Sequence, residues 1–175
     1  MTKTLVWTLG ILIFLAAIGT GIYAMMTFNA TPAKQAAASV EKEKAEEIEE
    51  EIKEQTSFIG GVSEELGITA DSEESEVMQI MHEMTHQKVR AQDKWGAVPL
   101  TNENVKKVIA IVEASSFEHK TDMLTILKRW ENDNFSTVAE DHNFFWRLQG
   151  GNVGQAYGTL TIEEEQKFIE NNFAE

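Results

Sequence analysis

Residues 76–96 read EVMQIMHEMTHQKVRAQDKWG, and inside them His82, Glu83, Met84, Thr85 and His86 spell H-E-x-x-H. At about 100° per residue, Val77, Ile80, Met81, Met84, Ala91 and Trp95 gather on one arc, which predicts an amphipathic helix. Lys88 shares the arc, where its stem can lie along apolar surface while the amine reaches water. His82 and His86 fall about 40° apart on the far side, with Glu83 beside them. This stretch sets the expected fold class, mainly α, because the residues after it repeat the same period.

H-E-x-x-H on a helix is the layout of zinc peptidases. Two imidazoles one turn apart grip the metal, and a carboxylate beside them takes a proton from the bound water. Such a site needs a third protein ligand. Glu118 offers one, since Glu118 to Asp122 fits E-x-x-x-D, and His142 offers another. Other features point away from catalysis. Gln92 stands where a third histidine would complete the longer form of the motif, and Lys88 stands where these enzymes carry an apolar residue. No sheet edge is expected upstream to align a substrate. His142 falls in step with Val138 and Phe145, the spacing of a packed core histidine. The function expected is therefore a non-enzymatic protein-interaction module without a cofactor. The alternative is a zinc metallopeptidase with His82, His86 and either Glu118 or His142 as ligands and Glu83 as catalytic base.

Before this stretch the chain changes character twice. Residues 5–28 carry no charge, and at 1.5 Å per residue they make about 36 Å of helix, enough to cross a bilayer core of about 30 Å. Trp7 and Tyr23 sit near the two ends, as interfacial aromatics do. The expectation is an uncleaved transmembrane signal-anchor over residues 1–28, in contact with membrane lipid through residues 5–28. Lys3 precedes the run and acidic residues follow it, so charge bias places the rest of the chain extracytoplasmic, at the plasma membrane.

Residues 29–75 hold 13 acidic residues against 4 lysines and read as an acidic stalk, part helix and part flexible linker. Ala45, Ile48, Ile52, Gln55 and Ile59 recur at about 3.5 residues, a seam through which the stalk could self-associate. The net charge of −14 and the absence of any basic stripe exclude nucleic acid as a partner.

Residues 76–175 are expected to form a small all-helical domain of about five helices. Thr101 caps a helix with Val105, Val108, Ile109 and Val112 inward. Residues 120–131 bury Met123, Leu124, Leu127 and Trp130. After Asn132, Asp133 and Asn134, Ser136 caps a helix with Val138, His142, Phe145 and Leu148 on one face, closed by Gly150 and Gly151. Thr161 with Glu164 forms a capping box for a last helix burying Ile162, Ile169 and Phe173. Phe144 and Trp146 flank the Phe145 stripe and leave aromatic surface for an envelope protein partner.

Asp141-His142-Asn143, Trp146, Gln149-Gly150-Gly151, Gly154, Gly158 and Glu163-Glu164-Glu165 resemble a string found in single-span membrane proteins of Bacillus and relatives. Met84 through Val89, with Trp95-Gly96, is similar to the same family. The resemblance covers residues 77–173. It implies a membrane-attached setting and a C-terminal domain of unknown function, and it brings no catalytic residues with it.

Overall fold

The computed structural model describes residues 32–173. Among them are six helices and two short strands: α1 (Pro32–Thr56), α2 (Glu74–Thr85), β1 (Val89–Ala91), α3 (Asn102–Ala114), α4 (Lys120–Glu131), α5 (Val138–Leu148), β2 (Ala156–Thr159) and α6 (Ile162–Phe173). The chain divides into two compact units, Met1–Glu50 and Glu51–Glu175. In the first, the described part of α1 is solvent-exposed and rich in Glu and Lys, with Lys42 and Glu46 paired one turn apart.

The second unit is built around one apolar core. Val77, Met81 and Met84 of α2, Val105, Val108 and Val112 of α3, Met123, Leu127 and Trp130 of α4, and Phe145 of α5 are buried together. Burying side chains of this size contributes roughly 1.5–3 kcal/mol each. Several helix starts use the chemistry their sequence offers. Thr101 accepts from the Asn104 amide at the start of α3. Thr161 and Glu164 exchange side-chain and backbone bonds ahead of α6.

The expected fold class needs correction. The second unit is mainly helical, but it carries a two-stranded antiparallel sheet, with Val89 opposite Thr159, Arg90 opposite Gly158 and Ala91 opposite Ala156. The helix read over residues 76–96 stops at Thr85. The Thr85 hydroxyl turns back to donate to the His82 carbonyl, and the Lys88 amide bonds three residues back to the Thr85 carbonyl. Past that point Lys94 donates to the carbonyls of His86 and Val89, so backbone groups a longer helix would have used find partners elsewhere. Val89 and Ala91 then bury in a second small cluster with Val138 and Ala156, while Trp95, expected inward, is 70% exposed. The transmembrane segment expected within residues 1–28 lies outside the described residues. Among the described residues, no helix is long and apolar enough to cross a membrane.

Two smaller differences concern helix faces. α6 buries Glu164, Phe168 and Asn172, and Ile162 is exposed. Its inner face is turned by Glu164, which pairs with Arg90, and by Asn172, which bonds the Ser57 carbonyl and the Ile59 amide. On α5, Leu148 is exposed and Asp141 is buried, because Asp141 accepts from Arg129 and from the Trp130 indole.

Candidate metal centre

α2 and α5 pack against each other, and each brings imidazole to their contact. The apolar side of α2 is fixed by Val77, Met81 and Met84 in the core. That places His82 at the edge of the buried face, half-exposed, and His86 at the C-cap, buried. α5 is fixed by Phe145 in the core and by Asp141 on Arg129 and Trp130. His142 lies between them in sequence and is buried.

The three rings converge. One ring nitrogen from each of His82, His86 and His142 lies within 4.8 Å of the other two. The His82 and His142 Nε2 atoms are 3.3 Å apart. Zinc holds imidazole nitrogen at about 2.0–2.1 Å, so two nitrogens on a tetrahedral zinc are separated by about 3.3 Å.

The outer nitrogens settle which atoms point inward. His82 Nδ1 lies 2.6 Å from Gln149 Oε1, and His86 Nδ1 lies 2.5 Å from the Gly96 carbonyl. His142 Nδ1 lies 2.9 Å from the Thr85 hydroxyl oxygen, whose own hydrogen goes to the His82 carbonyl at 2.6 Å. The Gln149 and Gly96 oxygens accept, so His82 and His86 carry the proton on Nδ1 and leave the Nε2 lone pair free, whereas the Thr85 hydroxyl can either accept from His142 Nδ1 or donate to it. The proton positions follow from this partner chemistry. His142 Nε2 also lies 2.9 Å from the Gly154 carbonyl. Two lone pairs and a carbonyl oxygen at such distances repel unless a positive centre stands among them. A cation supplies one; otherwise a proton on His142 Nε2 must, with the Thr85 hydroxyl turned toward Nδ1.

Burial and mutual repulsion keep the triad neutral, the form that binds metal. Burial, then the His82 charge, hold His86 well below the usual histidine value. The same causes bring His142 down to about 4. Burial also lowers His82, partly offset by its bond to Gln149. Lys94 beneath the site is pushed down to about 7 by burial and by Arg90.

Glu83 and Glu118 sit differently from the histidines. Glu83 is half-buried, its carboxyl raised by burial, and it accepts from the Gln79 amide at 2.8 Å. Glu118 is exposed at the approach to α4, where its backbone amide bonds Glu74, and it is not in the three-residue group. The residues that orient the imidazoles, Thr85, Gly96, Gln149 and Gly154, have no sequence signature. Gly96 and Gly154 both have left-handed backbone, φ 78° and 95°, the conformation that favours glycine.

No curated protein and no solved structure matches the chain. One family model, described as a family of unknown function (DUF6241), matches residues 81–170, a span that holds all three histidines. That match covers just over half of the chain, and the chain belongs to this family.

Proposed function

We propose that the second unit is a metal-binding helical module in which His82, His86 and His142 hold one divalent transition-metal ion, zinc foremost. In this reading it works without catalysis, and the ion fixes the surface it offers to a protein partner. The observation that carries the reading is the convergence of three imidazoles, one nitrogen from each within 4.8 Å of the other two, with the outer nitrogens of His82 and His86 on oxygen acceptors. Imidazole-only sets suit zinc, copper and nickel over calcium or magnesium. Large apolar side chains stand exposed at Phe58, Trp95 and Tyr157, the type of surface a protein partner covers. The setting proposed is extracytoplasmic, at the plasma membrane, on the charge pattern of the N-terminal residues alone.

Thermal melting of the purified full-length chain tests the reading. Zinc at about 100 times its dissociation constant stabilises by about 2.7 kcal/mol, which moves the midpoint up by about 10 °C. EDTA should reverse the shift, and calcium should not produce it. A midpoint indifferent to zinc counts against the reading.

A second reading, zinc metallopeptidase, is favoured by the H-E-x-x-H string and the raised Glu83 carboxyl. Against it, the Ala91 end of β1 is already paired with the Gln55 side chain on the side away from β2. That leaves little edge for an extended substrate. Zinc-dependent cleavage of an unstructured protein, abolished in Glu83→Gln, would select this second reading.

A further inference from the structure

We propose that Glu83 is a positioning residue, setting the tautomer of His82 through a directed hydrogen-bond chain that runs by way of Gln79 and Gln149. The inference rests on the metal-binding reading and assigns Glu83 a role there other than that of catalytic base.

The chain has three links. His82 Nδ1 meets Gln149 Oε1 at 2.6 Å, Gln149 Nε2 meets Gln79 Oε1 at 3.0 Å, and Gln79 Nε2 meets Glu83 Oε1 at 2.8 Å. Each primary amide has one accepting end and one donating end, so a chain of amides runs in either of two senses. Glu83 removes the choice. A carboxylate only accepts, so Gln79 must turn its NH2 toward Glu83 and its oxygen toward Gln149. Gln149 must then turn its NH2 toward Gln79 and its oxygen toward His82. His82 is left with its proton on Nδ1 and its lone pair on Nε2, the atom that faces His142.

The reverse sense would put the Gln149 NH2 against His82 Nδ1 and the proton on Nε2, where no metal can bind. Without a charge at the far end, nothing in the two amides prefers one sense. Metal-bound histidines commonly hold a carboxylate or carbonyl on the outer nitrogen, directly. In this chain the carboxylate acts at one remove.

Glu83 is itself held in place. A Cβ on Gly96 would come within 2.6 Å of Glu83 Oε1 and displace the carboxylate, and the φ of 78° there favours glycine as well. The carbonyl of that same residue receives the His86 Nδ1 proton. One close approach thus anchors the outer partners of two ligands. Gln79 and Gln149 are exposed, so water competes for each link and the effect of breaking one lies at the lower end of the outer-shell range.

The test uses the full-length chain, zinc affinity by chelator competition, and ¹⁵N spectra of the histidine rings. The wild-type protein should bind one zinc and, without metal, show His82 protonated on Nδ1. Glu83→Gln and Gln149→Leu should each weaken zinc by about 10-fold and mix the His82 tautomers. Gln149→Glu, placed in the Glu83→Gln background, presents a carboxylate to His82 directly and should restore affinity to within about 3-fold of wild type. Unchanged affinity and tautomer in Glu83→Gln would overturn the positioning role while leaving the metal site standing. The same variant with wild-type affinity but no proteolytic turnover would make Glu83 a catalytic base and also overturn it. A wild-type protein that binds no zinc would remove the metal site, and the purpose of the chain with it.

Discussion

His82 and His142 come from helices 60 residues apart in sequence and face each other through their Nε2 atoms at 3.3 Å. That separation matches the spacing of two imidazole nitrogens on one tetrahedral zinc. It joins α2, the helix that carries the H-E-x-x-H string, to α5, the helix that leads into the glycine loop and β2. An ion bound there would add to the apolar packing and to the hydrogen bonds of Thr85 with His142 and of Gln149 with Gln79 and His82 that already join the two helices.

Acid should loosen the fold when metal is withheld. A histidine kept neutral by burial binds fewer protons folded than unfolded, so its contribution is fully present above about 6.5 and is lost as pH falls through the folded value. For His142 that value is about 4, and this residue alone accounts for on the order of 3 kcal/mol across the window. His86 and His82 shift in the same direction. Urea midpoints measured in EDTA should fall between pH 7 and pH 4.5. Equal midpoints at the two values would show that the triad is not buried as described.

Gly96→Ala should cost stability and metal together. Its φ of 78° suits glycine, and the added methyl group would meet the Glu83 carboxylate. The conformational part costs about 1 kcal/mol and displacement of Glu83 adds to it, for a total of about 1–3 kcal/mol. Denaturant unfolding and zinc competition on this variant should both move. A variant as stable as wild type would contradict the close approach of residue 96 to α2.

Gln55→Ala tests where the compact unit begins. The Gln55 amide bonds both the carbonyl and the amide of Ala91, at 3.0 and 3.1 Å, and so acts as a third strand one residue long. Its loss leaves two buried backbone groups without partners, which costs roughly 1–3 kcal/mol. A change below about 0.5 kcal/mol in the unfolding free energy would mean that residues 51–56 do not pack on β1.

Much of the helical framework was legible because its signals are local. Thr101, Thr161 with Glu164, and Gly150 at φ 72° mark helix ends through bonds to near neighbours. The sheet was not legible. Val89-Arg90-Ala91 is too short for a period of two to stand out, and its partner Ala156–Thr159 lies more than 60 residues away inside a glycine-rich run. The inner face of α6 departs from the apolar pattern because polar residues occupy it, Glu164 and Asn172 being satisfied by Arg90 and by backbone near residue 58. At the site, His82 and His86 could be paired from spacing alone. The period of His142 predicts core packing, with a ligand role as the alternative, and the residue is buried. What the period does not reveal is that His142 Nε2 lies 3.3 Å from that of His82, with one nitrogen of each of the three rings within 4.8 Å of the others. Glu118 matched a motif by composition, but the fold leaves it beside Glu74.

The central claim is that three particular imidazoles share one ion. Metal analysis of the purified full-length chain, after exposure to zinc and removal of excess, tests it most directly, with His119 as control because it pairs with Glu74 outside the triad. The account predicts one zinc per chain in the wild type and in His119→Ala, and near-complete loss in His142→Ala. Full zinc content in His142→Ala, or far less than one zinc per chain in the wild type, would contradict it.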